Sequence, residues 1–158
     1  MRLSRPGTLL ASAGGIGYAP ILPGTAGSLA GLLLGCLVAP SPDSPQPYPA
    51  WLLLSLAATF LVGVVSSTMA ERELRLHDPA CVVIDEVWGM WAVVAALPSV
   101  ATPVIALVAF GLFRAFDIIK PPPLRWLARC PGGWGIMLDD AGAAAYTVLV
   151  FHLTTALR

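Results

Sequence analysis

Ala50–Met69 runs for 20 residues without a charged side chain, the one stretch of this chain that comfortably reaches the length of a bilayer crossing. It is apolar nearly all round. Ser55, Thr59 and Ser66–Thr68 are its polar interruptions, so no stripe divides a core face from a solvent face. Such a segment requires lipid or complete burial. Shorter apolar stretches follow the same habit at Gly24–Ala39, Val87–Leu97, Pro103–Phe113 and Ala141–Leu157. With 158 residues there is room for one core, so the expectation is a single all-α domain over residues 1–158. It is a multihelical, membrane-embedded bundle of about four or five apolar helices. A soluble bundle with the same helices is the competing arrangement.

Composition supports the lipid side of that choice. The chain is 57% hydrophobic and 11% charged, with a mean hydropathy of +0.79. Nine basic and nine acidic residues cancel, and no run of like charge appears, which excludes nucleic acid as a partner. Cys36, Cys81 and Cys130 show no paired spacing and read as small hydrophobes. The cationic start with Arg2 and Arg5 precedes a short, glycine-broken apolar run, which fits a cytoplasmic N-terminus better than a cleaved signal. Pro40–Pro49 cannot be helical and reads as an exposed connection.

If the apolar stretches alternate across a membrane, eight of the nine cations fall on one side, the cytoplasmic one. This parity requires Pro98 and Pro103 to break Val87–Phe113 into a hairpin. A single kinked span would separate Asp85-Glu86 from Asp117.

Five of the nine acidic residues gather as Asp85-Glu86, Asp117 and Asp139-Asp140. Carboxylates in so apolar a chain are costly unless they are paired or hold a cation, and a divalent metal site is the simplest cause. Each group also has a plainer reading. Asp85-Glu86 could be a solvated corner, Arg114-Asp117 a surface ion pair, and Asp139-Asp140 the cap and first turn of the last helix. Arg114, Asp117 and Lys120 recur every third residue, so two cations and a carboxylate can converge as a phosphoryl group needs. The glycine-rich run Gly14–Ser28 leads into a helix start, where Gly24, Thr25 and Ser28 could cradle a phosphate. It is neither a Walker loop nor a dinucleotide fingerprint. His77 and His152 sit in no H-E-x-x-H or serine-histidine-aspartate pattern, no cysteine phosphatase loop occurs, and no D-x-D nucleophile occurs. Metal-activated water remains.

Four segments in order, G-x-G-x-x-P-x-x-P-G-T-x-G-S (Gly15 to Ser28), D-E-x-x-G (Asp85 to Gly89), F-R-x-F-D-x-x-K-P (Phe113 to Pro121) and G-G-x-G-I-M-x-D-D-x-x-A (Gly132 to Ala143), resemble the phosphatidylglycerophosphatase A family. The resemblance implies an all-helical, magnesium-dependent phosphatase of bacterial phospholipid synthesis that turns phosphatidylglycerophosphate into phosphatidylglycerol. It implies Asp85, Glu86, Asp117, Asp139 and Asp140 as acidic site residues, with Arg114 and Lys120 beside them. The resulting expectation assigns Asp85, Glu86, Asp139 and Asp140 to Mg²⁺, and Asp117, Arg114 and Lys120 to catalysis, Asp117 as general base. Gly24, Thr25 and Ser28 are assigned to the substrate phosphate. The expected setting is the bacterial inner membrane, multi-pass, with a phospholipid substrate and the site on the cytoplasmic side. Rival readings are a small transporter or channel with a carboxylate-lined ion path, and a structural membrane subunit.

Overall fold

The computed structural model describes residues 5–38, 50–97 and 102–156. The Pro40–Pro49 linker and most of the Pro98–Thr102 turn lie outside them. The described residues are all-helical: α1 (Pro6–Ala11), a 3₁₀ segment (Ala13–Tyr18), α2 (Pro23–Val38), α3 (Ala50–Leu74), α4 (Ile84–Ala96), α5 (Pro103–Ile119), α6 (Leu124–Leu127) and α7 (Gly133–Ala156).

α4 is the centre of the packing. Its Met90, Val93 and Val94 join Ala109 and Phe113 of α5, Leu124 of α6, and Ala143 and Ala144 of α7 in the largest buried cluster. Glycines set how closely its neighbours approach. On α2, Gly27, Gly31 and Gly35 recur every fourth residue and so share one face. A Cβ at Gly31 would fall 2.3 Å from the Val87 carbonyl oxygen, and one at Gly35 would fall 2.7 Å from Val94 Cβ. Small residues in this register let helices close-pack where hydrocarbon outside offers no competing drive.

Two helices, Ala50–Leu74 and Gly133–Thr154, are long and apolar enough to cross a membrane. α2, α4 and α5 have 16, 13 and 17 residues. At about 1.5 Å per residue they fall short of a hydrocarbon core of about 30 Å. Large apolar side chains nevertheless stand exposed around the bundle, among them Leu33 and Leu37 of α2, Leu53, Leu54 and Val65 of α3, and Val104 and Leu107 of α5. A belt of this kind suits contact with lipid.

The last helix starts earlier than its apolar stretch predicts. α7 begins at Gly133, so Asp139 and Asp140 lie in its second turn and do not cap it. The cap comes from another helix: Gly133 N donates to Thr68 Oγ1 of α3 at 2.8 Å. A donor satisfied across the interface frees both aspartates for other work. This contact also puts the end of α3 beside the start of α7.

At the other edge, α1 is pinned to α3 through Glu73, whose carboxylate accepts from Thr8 N at 2.9 Å, Thr8 Oγ1 at 2.6 Å and Gly7 N at 3.2 Å. Ala11 O accepts from Val83 N at 2.9 Å, two residues before Asp85.

Candidate metal and phosphate site

The acidic pair opens α4, where a helix start favours negative charge. Asp117 lies in the last turn of α5, and α4 and α5 are separate helices, so the two groups meet at the same end of the bundle. Gly89 permits the meeting. One turn beyond Asp85-Glu86, its missing Cβ leaves room for the Phe113 ring, which would otherwise stand 2.7 Å away, and for the Asp140 carbonyl at 3.3 Å. The glycine of D-E-x-x-G thus lets α5 and α7 carry their carboxylates up to α4.

The result is a cavity of about 350 Å³ bordered by Asp85, Glu86, Arg114, Asp117, Lys120, Asp139 and Asp140. One carboxylate oxygen from each of Asp85, Glu86 and Asp140 lies within 4.8 Å of the others, and Asp117, Asp139 and Asp140 form a second such group. Asp140 belongs to both. Asp85 Oδ1, Glu86 Oε2, Asp139 Oδ1 and Asp140 Oδ2 are buried without a hydrogen-bond partner among the described residues. Burial first, then the adjacent Glu86 and Asp140 charges, pushes the Asp85 carboxyl well above the usual carboxylate range. Unpartnered oxygens this close suit a hard cation with oxygen ligands, so these residues could hold a metal ion.

Two cations face the acids. Arg114 Nη1 donates to Asp117 Oδ2 at 2.5 Å and to Ser28 Oγ at 3.3 Å, and stands 3.8 Å from Glu86 Oε1. Lys120 does not continue the helical register of Arg114 and Asp117: it ends α5 in a left-handed conformation, φ 49°. From there its ammonium bonds Asp139 of α7. Desolvation pulls that ammonium down, but the bond to Asp139 and the charges of Asp139, Asp117 and Asp140 outweigh it and hold the group above its ordinary value.

The three phosphate-cradle residues separate. Gly24 borders the cavity, so close to Glu86 that a Cβ there would lie 2.2 Å from Oε1. Thr25 is not among the lining residues. Ser28 is fully buried, donates to Gly24 O at 2.9 Å and meets Arg114, so it reaches the cavity only through that guanidinium.

Sequence reasoning overlooked Asp78, Leu22, Pro23, Ala80, Val82 and Ile136, which also line the cavity. Asp78 had a signal, because Asp-Pro just before an apolar run marks a turn. Glu71 fixes that turn by accepting from Asp78 N at 3.0 Å and pairing with the His77 ring at 2.7 Å.

The chain matches the family described as phosphatidylglycerophosphatase A over residues 9–155. It belongs to the phosphatidylglycerophosphatase A family. The Haemophilus influenzae phosphatidylglycerophosphatase A is 40% identical over 149 residues, covering 94% of this chain and 88% of that protein. The Escherichia coli phosphatidylglycerophosphatase A is 36% identical over 156 residues, covering 96% and 86%. A Bacteroides thetaiotaomicron protein, provisionally named a phosphatidylinositol-3-phosphatase, is 34% identical over 153 residues, covering 90% and 89%. No solved structure matches the chain.

Proposed function

We propose that the chain hydrolyses the terminal phosphate monoester of phosphatidylglycerophosphate to phosphatidylglycerol and inorganic phosphate, with Mg²⁺ as its metal. The observation that carries this reading is the pairing, in one cavity, of two overlapping carboxylate triads with Arg114 and Lys120. Membership of a family whose Haemophilus and Escherichia members are named for that reaction supports the substrate.

A hard dication bound there supplies charge neutralisation for the phosphoryl oxygens and acidifies water. Asp85, Glu86 and Asp140, which form one close group, would hold it, with Asp139 joining through the second group that Asp140 shares with Asp117. Arg114 and Lys120 offset negative charge as it spreads over the non-bridging phosphoryl oxygens. Asp117, oriented by Arg114, takes a proton from the attacking water; the new P–O bond forms as the bond to the glycerol oxygen breaks, that oxygen takes a proton from solvent and leaves as the alcohol, and Asp117 returns its own proton to solvent. Gly24, without a side chain, lets Glu86 and Arg114 close on the start of α2, where the phosphate would meet them. Ser28 positions Arg114.

The setting proposed is a multi-pass protein of the bacterial inner membrane, folded as one domain, with the cavity toward the cytoplasm. Arg72 near the end of α3, then Arg75, Arg114, Lys120, Arg125 and Arg129, belong to the segments that frame the cavity end, the bias the cytoplasmic side prefers.

Purified protein with phosphatidylglycerophosphate in detergent micelles is expected to release phosphate in Mg²⁺, to lose that activity in EDTA, and to regain it when Mg²⁺ is restored. Release that ignores the chelator would refute the metal, and absence of release would refute the reaction.

A further inference from the structure

Leu22 carries features that the phosphate chemistry does not use. It lines the cavity beside Pro23 and Gly24. Leu22 is 66% exposed, and Ile21 next to it 78%. Its backbone is left-handed, φ 52°, a region that crowds Cβ against the following carbonyl and that glycine enters freely. Leu22 belongs to none of the three hydrophobic clusters of the described residues, so core burial does not account for a large apolar side chain there.

Asp78 and Lys120 share this backbone, φ 45° and 49°, and they too line the cavity. Three connections in a disfavoured conformation therefore meet at one cavity, and such residues collect where a ligand is held. Two of them present charge. The third presents hydrocarbon and, unlike Val82 and Ile136, the buried apolar residues of the same lining, it stands exposed.

We infer that Leu22, supported by Ile21, receives the hydrocarbon part of the substrate and makes the site select phosphate monoesters carried on acyl chains over water-soluble ones. The inference rests on the hydrolysis proposed above. A substrate with a charged end and an apolar body meets Asp78, Lys120 and the carboxylates with one and Leu22 with the other. Covering an exposed leucine with hydrocarbon corresponds to about tenfold or more in affinity.

The test compares wild type, Leu22→Gly and Leu22→Met in phosphate release from dioleoyl phosphatidylglycerophosphate in detergent micelles and from its dibutanoyl analogue free in solution. Glycine accepts the left-handed turn, so loss of the side chain does not endanger the fold, and a thermal melt checks this. The ratio of kcat/KM for the long-chain over the short-chain ester is expected to fall about tenfold or more in Leu22→Gly, through KM, and to return in Leu22→Met. An unchanged ratio in Leu22→Gly, or a methionine variant as impaired as the glycine one, overturns the inference while leaving the hydrolysis intact. A wild type that cleaves neither ester overturns the hydrolysis, and the inference with it.

Discussion

Asp85 and Asp140 are acids whose charge the fold tolerates poorly by itself: both are buried, and each keeps an oxygen without a partner among the described residues. Removing the charge and keeping the shape separates function from stability. Asp85→Asn and Asp140→Asn are each expected to lower phosphate release at least about a hundredfold, because the cation site and its field are lost. In EDTA, both variants are expected to melt no lower than wild type, since a neutral amide is easier to bury than a lone carboxylate. Calorimetry beside the phosphate assay checks both halves. Arg114 poses a different question, because one nitrogen serves Asp117 and Ser28 and stands near Glu86. A lysine keeps the charge but loses the planar fork, so Arg114→Lys is expected to recover less than about a tenth of wild-type kcat/KM. Recovery close to wild type would reduce Arg114 to a point charge.

The helices hold these side chains in place through the close approach of their backbones. α2 meets α4 over Gly27, Gly31 and Gly35, and Gly24 of the same helix touches Glu86. Gly31→Ala drives a methyl group to 2.3 Å from the Val87 carbonyl oxygen, an atom of the backbone that cannot swing aside. The two helices must separate, at about 1–3 kcal/mol, which lowers the melting temperature by several degrees. Activity is expected to fall as well, because the shift also moves the start of α2 off Glu86. A thermal melt and a phosphate assay on the same preparation measure the two effects. The glycine register was present in the sequence, where these residues pass for ordinary members of an apolar helix. Its use as a contact face becomes visible only when α4 is laid against it. Asp139-Asp140 illustrates the reverse case. Their position fits a helix start by every local rule, yet Thr68 of α3 supplies the cap and Lys120 takes up Asp139, so the helix extends upstream through them.

At the scale of the molecule, α3 and α7 meet end to start beside the cavity, and an exposed apolar belt surrounds the bundle. An ion path would need carboxylates in mid-helix across the bilayer. The acids instead occupy the first turn of α4, the last turn of α5 and the second turn of α7, grouped at one end. For a cytoplasmic cavity, a single cysteine at Leu76, 60% exposed in the turn after α3, is expected to react with a membrane-impermeant maleimide only after the inner membrane is opened. The background has Cys36, Cys81 and Cys130 replaced by alanine. Labelling in intact spheroplasts would place that turn on the outer face.

Residue type and order were enough to read the all-α class, the lipid-suited composition and the acids and cations that belong together, since desolvation makes grouped charge in an apolar chain conspicuous wherever it occurs. The partners of each charge were decided in three dimensions. Lys120 leaves its helical register to reach α7, Ser28 retreats behind Arg114, and Asp78 and Leu22 come to the cavity from separate turns. Sequence spacing governs direction only within one helix, about 100° per residue. Between helices, distance follows from which side chains are small enough to let two backbones touch, and that depends on both surfaces at once.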